Sequence, residues 1–314
     1  MQRCLRCFFI AVLCILFTIG SVVSVNSDEG DRRCSFWLDL YRGEPIAFEQ
    51  LMDDLAAVQV IYLGEFHTID RHHDIQLEVL EELCRRTKVI LALEQLEAHY
   101  QDELDRYARG EIEFGELADR TDWANRWNNY RDYRKLLLTA RKCGSPIIAL
   151  NAKSGIIRRV AMGGLASLSA DKRSQLPESI QMVDPLYEKL LGKILYVHRF
   201  VGKMNIRSIY EAQVSRDEMM ADGIAQQLTM RGKSHSIVVI GGSQHFAHGL
   251  GVPARVRRRV PDVRDRIVLL SESGDLYLSE EEKHISRSII ITHQDLRFLG
   301  VPLADYLYVT EPRE

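Results

Sequence analysis

Six residues of this 314-residue chain have side chains suited to chemistry and sit at spacings that repay attention: Glu65, His67, Glu94, Asn151, Arg216 and His245. Glu65 and His67 close the stretch Gly64-Glu65-Phe66-His67, with His72 and His73 a few residues on. Glu94 follows the apolar run Val89-Ile90-Leu91-Ala92-Leu93, so its carboxylate should meet a low dielectric and must find a cation, a proton or hydrogen bonds. His67 and His245 are the candidate partners. Two imidazoles and a carboxylate are also a standard divalent-metal set, which makes His67, Glu94 and His245 candidate metal ligands.

The elements that must position these residues are legible as an alternation. Short β-branched runs at Val58 to Leu63, Lys88 to Leu93, Pro146 to Leu150, Ser236 to Gly241 and Arg266 to Leu270 are separated by longer helical patterns, the signature of βαβ units and a parallel sheet. The first four runs are each followed at once by a candidate polar group. In a parallel sheet all carboxyl ends share one edge, and ligand crevices lie there where the strand order reverses. Ile75, Val79, Leu80 and Leu83 mark a helix from about Arg71 to Arg86. A long helix is expected from Ser208 to Leu228, opened by the capping box Ser208-Ile209-Tyr210-Glu211. On it, Gln213, Asp217 and Met220 share a face that reads as solvated. Arg255 and Arg257-Arg258-Arg259 read as the exposed side of a short helix, and Trp123, Trp127, Tyr130 and Tyr133 as core packing on a helix. Residues 152–205 hold no convincing strand and are expected to be a helical lid. Short strands near Ser288 to Thr292 and Tyr306 to Val309 should finish the sheet.

Composition narrows the function classes. A 46% apolar content with 8 Pro and 20 Gly is that of a folded globular protein. Forty-one basic against 44 acidic residues leave a charge of -3, too small a field for nucleic acid to be the main partner. HExxH, GxSxG, GxxxxGK[ST] and a GxGxxG after the first strand are all missing, which disfavours zincins, elbow-type serine hydrolases, P-loop enzymes and dinucleotide binders. Arg3 and Arg6 precede an uncharged stretch from Phe8 to Val25, and Asp28, Glu29 and Asp31 follow. That order predicts an export signal over residues 1–27, cleaved after Ser24 or Ser27, with an uncleaved membrane anchor as the alternative. Cys34, Cys84 and Cys143 remain beyond it, an odd number without CxxC spacing, so Cys84 and Cys143 are expected to be buried free thiols.

Several of these stretches together resemble one family. Leu63-Gly64-Glu65-Phe66-His67 with His73 and Gln76, Leu93-Glu94, the Trp127-Tyr130-Arg131 segment, Ile148-Ala149-Leu150-Asn151, Ala212 to Ala221, Gly241-Gly242-Ser243-Gln244-His245 and Gly251-Val252-Pro253 occur in the order seen in the ChaN family, the haem-binding uptake branch of the Tiki superfamily. The resemblance covers roughly residues 55–260. It implies an α/β domain over residues 28–314, with a mostly parallel sheet flanked by helices and a smaller helical subdomain at about 152–205. It also implies haem iron bound for iron uptake, a homodimer, and a place outside the cytoplasm, periplasmic or on the outer face of a membrane. Members are often lipoproteins, whereas neither Cys14 nor Cys34 here follows the small residue that lipidation needs. The lid departs as well, since His198, Met204 and a run of Tyr and Arg replace the His- and Gly-rich stretch frequent in the family.

A haem carrier needs an apolar slot, an axial ligand and donors for two propionates. The candidate haem residues are His73, Tyr130, Tyr196, His198 and Tyr210, with Tyr133 and Tyr187 nearby. The alternative function is a hydrolase, metal-dependent or based on Glu and His, as in other Tiki and erythromycin-esterase-like branches. Its candidate residues are Glu65, His67, Glu94, His245 and Arg216.

Overall fold

Alternation along the strands determines the layers. In β3 (Val60–Glu65), Ile61 and Leu63 face one apolar cluster while Val60 and Tyr62 face another. In β4 (Val89–Glu97) the same holds for Leu91 and Leu93 against Ile90 and Ala92. Because successive side chains leave a strand on opposite faces, a continuous apolar run requires cover on both, and helices supply it. The computed structural model describes residues 35–195, 205–231, 234–271, 296 and 298–310. The expected export segment, Tyr196, His198 and the Ser288 to Thr292 strand lie outside the described residues.

The sheet also contains β1 (Ser35–Asp39), β2 (Glu44–Ile46), β5 (Ile147–Asn151), β6 (Ser236–Gly242), β7 (Asp265–Leu270) and β8 (Tyr306–Thr310), in the order β2-β1-β8-β7-β3-β6-β4-β5. The six strands from β8 to β5 are mutually parallel, and β1 and β2 add an antiparallel edge. The sequence reading has no counterpart for β1 and β2. They are short and largely exposed, so they lack the apolar run that marks a buried strand. The chain leaves β3 toward β4 and β5, returns to β6 between β3 and β4, and then crosses β3 to β7. β3 and β6 therefore flank the reversal of strand order, where ligand crevices form.

One face is covered by α1 (Phe48–Ala56), α2 (Asp70–Arg86), α3 (Gln101–Ala108), α4 (Phe114–Arg120), α5 (Trp123–Arg126) and α6 (Arg134–Lys142). The aromatic series expected on one helix is split between α5 and a 3-10 turn at Tyr130–Tyr133, although Trp123 and Tyr133 are buried as expected. Within residues 152–205, among the described residues, lie α7 (Ser154–Gly163), α8 (Ala170–Arg173) and α9 (Pro185–Leu195). The opposite sheet face is covered by α10 (Ile206–Arg231) and α11 (Val252–Arg259).

Three sequence expectations on these last helices fail for one reason: partners from other elements. The capping box does not form. The helix starts earlier, the Asn205 side chain accepts from the Arg207 amide at 2.9 Å, and Glu211 accepts from the Leu165 amide at 2.7 Å. Asp217 and Met220 are fully buried rather than solvated. Arg255 is buried too, and with Arg258 and Arg259 it converges on the buried Glu218, with ion-pair distances of 3.5, 2.7 and 2.6 Å. Burial favours the neutral form of Glu218, but Arg258 and Arg259 prevail and hold its pKa low. Cys84 and Cys143 are free, and Cys143 is exposed rather than buried. Among the described residues no helix is long and apolar enough to cross a membrane.

Candidate functional site

Parity puts the two strand-end carboxylates on opposite faces of the sheet. Glu65 continues the side of Ile61 and Leu63, against α2 and α6, and Glu94 continues the side of Ile90 and Ala92, against α10.

Glu65 is completely buried and saturated with donors. Its Oε1 accepts from Tyr133 Oη at 2.5 Å, His67 Nδ1 at 2.7 Å and Gln95 Nε2 at 2.9 Å. Its Oε2 accepts from Gln76 Nε2 at 2.7 Å, with His73 Nδ1 at 3.4 Å. Burial alone would raise its pKa, but these donors, His67 first, hold it below the usual carboxylate value. His73 is used up in the same cluster, since its Nε2 lies 3.1 Å from the His67 carbonyl. His72 ties the sheet edge together: Nδ1 accepts from the Phe66 amide at 3.0 Å and Nε2 donates to the Ser271 carbonyl at 2.9 Å. Burial lowers its pKa to about 4, so it is neutral.

Glu94 is held differently. Its Oε2 accepts from the Gly242 amide at 2.6 Å, and its Oε1 lies 3.2 Å from His245 Nε2. His245 Nδ1 donates to Asp217 Oδ1 at 2.5 Å, and Tyr187 Oη donates to Asp217 Oδ2 at 2.6 Å. The Gln213 side-chain amide lies 3.0 Å from the same imidazole nitrogen. Burial works against charge on His245, yet Glu94 and Asp217 on either side raise its pKa to about 9, making it an imidazolium at neutral pH. The partner expected for Glu94 is thus His245, and Glu94 is kept strongly ionised against its own desolvation. Gly241 and Gly242 allow this approach: a Cβ on the first would stand 2.8 Å from Glu94 Oε2, and one on the second 3.0 Å from His67 Nε2. These glycines looked unremarkable in sequence, and Asp217, which anchors His245, read there as solvated.

His67 lies between the two networks. Its ring packs edge-on to Trp127 at 4.8 Å and retains 33% side-chain exposure, enough to reach solvent. Despite burial, Glu65 and Glu94 raise its pKa. Arg216 is near enough to Glu94 to lower that carboxylate's pKa, yet it makes no hydrogen bond or ion pair among the described residues, and its Nε is buried without a partner. It lines a small cavity of about 140 Å³ with Asn151, Trp127 and Arg126.

The expected divalent metal set does not assemble. Glu65 and Glu94 leave their strands on opposite faces, the Glu65 oxygens are already occupied by four donors, and no group of three His, Cys, Asp or Glu among the described residues could hold an ion. Of the tyrosines expected to meet haem, Tyr130 and Tyr210 lie among the described residues. Tyr130 stacks on Phe114 with centroids 6.0 Å apart. Tyr210 is buried with Oη donating to the Met182 carbonyl at 3.0 Å, and burial pushes its pKa up to about 12, so no phenolate forms there near neutrality.

Beside these networks, past the carboxyl ends of β3, β6 and β7, lies an apolar crevice of about 570 Å³. Phe66, Leu269, Leu303 and Leu307 line it together with Leu190 and Ile194 of α9. Ser243, Gln244 and Ser271 supply polar groups and His248 an imidazole.

The crevice thus opens where the strand order reverses, next to the acid-base networks at the strand ends. The chain belongs to the haem-binding uptake family of the Tiki superfamily, ChaN, whose family model matches residues 51–256. Among solved structures it is similar to that titled cofacial heme binding to ChaN of Campylobacter jejuni, with a TM-score of 0.65 and 18% identity over 88% of this chain and 97% of that one. An erythromycin esterase mutant in its open conformation aligns with a TM-score of 0.45 and 14% identity, over 88% of this chain and 83% of its own. Protein RETICULATA-RELATED 5, chloroplastic, of Arabidopsis thaliana is 24% identical over 267 residues, 78% of this chain and 36% of that protein. The chain therefore spans about a third of that relative's length.

Proposed function

We propose that the chain binds haem in the apolar crevice and serves as an exported haem carrier in iron uptake. The observation that supports this is the crevice itself. Its volume of about 570 Å³ lies in the range of cofactor pockets, and its walls are mostly apolar, with the imidazole of His248 and the polar side chains of Ser243, Gln244 and Ser271 among them. That donor set fits haem, whose macrocycle needs apolar faces and whose iron needs an axial base. When bound, haem would supply the iron. The chain's part is to line the crevice with Leu190, Ile194, Leu269 and Leu303, which would exclude water, and to hold the strand ends in place through the Glu65 and Glu94 networks.

Export rests on the basic, apolar, acidic order of residues 1–31, and a dimer on the family resemblance. The decisive experiment is a ferric haem titration of the full-length chain followed by visible absorption. A saturable Soret shift at no more than one haem per chain supports the carrier reading, and the absence of any saturable shift rejects it. Intact mass after expression with a secretion system tests export, with loss of residues up to Ser24 or Ser27 as the expected result. Sedimentation with and without haem tests the dimer.

One observation favours a hydrolase: Glu65 orients His67 through Nδ1 and leaves the rest of that partly exposed ring toward solvent, as in a carboxylate-histidine pair. Its raised pKa weakens the case, because a general base must be unprotonated. Ester hydrolysis by the haem-free protein, abolished in His67→Ala, would establish it.

A further inference from the structure

We propose that the small cavity at the carboxyl ends of β4 and β5 binds a small carboxylate that also carries a hydroxyl or amino group. Arg216 holds the carboxylate, and Asn151 and Gln95 accept from the second group. The site is independent of the haem reading, because no residue lines both this cavity and the apolar crevice.

Three observations carry it. The first is the contrast between the two arginines in the cavity wall. Arg126 is engaged on every side. It lies 2.8 Å from Glu97 Oε2, donates from Nε to the Asp122 carbonyl at 3.2 Å, and stacks over Tyr100 at 4.6 Å from the ring centre. Glu97 in turn accepts from the Ser154 amide at 3.0 Å. Arg216 makes no hydrogen bond or ion pair among the described residues, and its Nε is shielded from solvent. Glu94 feels its charge but is already taken by the Gly242 amide at 2.6 Å and His245 at 3.2 Å. A guanidinium is always charged and offers five donors, and a buried donor left unmet is costly, so Arg216 calls for an acceptor that the described residues do not supply. Its planar fork matches a carboxylate through two parallel bonds.

Second, two amide oxygens of the same wall lack a donor. Gln95 is 5% exposed, and its Nε2 donates to Glu65 Oε1 at 2.9 Å. An ionised carboxylate only accepts, so this bond fixes which end of the amide is the oxygen, and Gln95 Oε1 is the end without a partner. Asn151 Oδ1, at the end of β5, is likewise buried and unmet. Such oxygens accept from a hydroxyl or an ammonium, so the ligand needs one of these besides its carboxylate. The indole N–H of the buried Trp123, also without a partner, adds a donor to the wall. Buried polar atoms are nearly always satisfied, and a cluster of unmet ones around one cavity needs an explanation.

Third, the size is selective. The cavity holds about 140 Å³, well below the roughly 300–1,000 Å³ of pockets for drug-sized ligands and about four to five times the share of one water, which suits a molecule such as lactate or alanine. Trp123 and Trp127 offer an aromatic side to its short carbon chain.

The experiment titrates the full chain with lactate, alanine, acetate and inorganic phosphate by calorimetry, with tryptophan fluorescence as a second reading. The variants are Arg216→Gln, Arg216→Lys and Asn151→Ala, each checked for folding by far-ultraviolet circular dichroism. The wild type should bind lactate or alanine saturably and at least about tenfold more tightly than acetate, which has no second donor. Preference for lactate identifies the second group as a hydroxyl, and preference for alanine as an amine. Arg216→Gln should weaken binding by at least about tenfold, and Arg216→Lys, which keeps the charge without the fork, by less. Asn151→Ala should weaken the preferred ligand by about threefold or more and leave acetate unchanged. If Arg216→Gln does not fold, Arg216→Lys and Asn151→Ala carry the test. The proposal is overturned by no saturable binding of lactate or alanine, by tighter binding of phosphate than of either, by acetate binding as tightly as both, or by affinities unchanged in the folded variants. Ferric haem titration of Asn151→Ala should match the wild type, so this site and the haem reading stand or fall separately.

Discussion

Two buried carboxylates end neighbouring stretches of the same sheet, and they are kept ionised by different means. Glu65 is held by hydrogen bonds from the hydroxyl of Tyr133, the amides of Gln76 and Gln95 and the imidazole of His67. Glu94 relies on charge, sharing the imidazolium of His245 with Asp217. The hydroxyl and the two amides on Glu65 are neutral, so most of that network persists where His67 loses its charge. A charge relay answers to pH and is only as strong as its weakest link. The first network works as a brace, and the second as a brace that loosens in alkali.

The largest effect expected from breaking this comparison is in Glu65→Ala. It strands the Tyr133 hydroxyl and two amides in the interior and should cost about 3–5 kcal/mol, read from urea midpoints. Glu94→Gln should cost less, because an amide can still accept from Gly242 and donate to a neutral His245. Equal losses would show that the two networks do not differ.

Next in size is the response to pH. The folded pKa of His245, about 9, lies above the unfolded value near 6.5, so its stabilisation is complete below pH 6.5 and is lost as pH rises through 9. That loss amounts to about 3 kcal/mol from this group and should shrink, without vanishing, in Glu94→Gln, because Asp217 still holds the imidazole. His72 has the opposite sign. Its folded pKa of about 4 means that stability present above pH 6.5 is lost as pH falls toward 4. Melting temperatures from pH 4 to pH 9.5 in wild type and Glu94→Gln test both arms.

The smallest expected effects sharpen the same contrast. Tyr187→Phe removes the hydroxyl on Asp217 Oδ2 and should cost about 2 kcal/mol, with a visible change in the His245 titration by nuclear magnetic resonance. Tyr133→Phe leaves Glu65 three other donors and should cost about 1 kcal/mol, with no change at His245. The reverse order would mean that Glu65 is the more fragile of the two.

Much of the fold was legible because burial on both faces writes itself into a strand as an unbroken apolar run. Val89 to Leu93 could hardly be anything else, and the need of Glu94 for a partner followed from its place after that run. The misreadings cluster on α10 and α11. The polar residues of α10 are buried because Tyr187, His245 and the arginines of α11 reach them from elsewhere. A helix enclosed on several sides shows no clean polar face, so helical periodicity could not assign Asp217 or Glu218. The crevice imidazole of His248 was also missed, although its setting, Phe246-Ala247-His248-Gly249-Leu250-Gly251, carries the glycine density of the left-handed turn found there.

By itself, then, the sequence determined the strands, their parallel arrangement and the edge at which the reactive side chains collect, since these follow from local periodicity and the geometry of βαβ units. Tertiary structure alone decided which face of the sheet each carboxylate takes its partners from, that the metal set does not converge, and that α9 and the Leu303 segment line an apolar crevice with His248 in its wall. Those outcomes depend on contacts between residues tens to hundreds of positions apart, and no local pattern encodes the distance between two side chains that only the finished fold brings together.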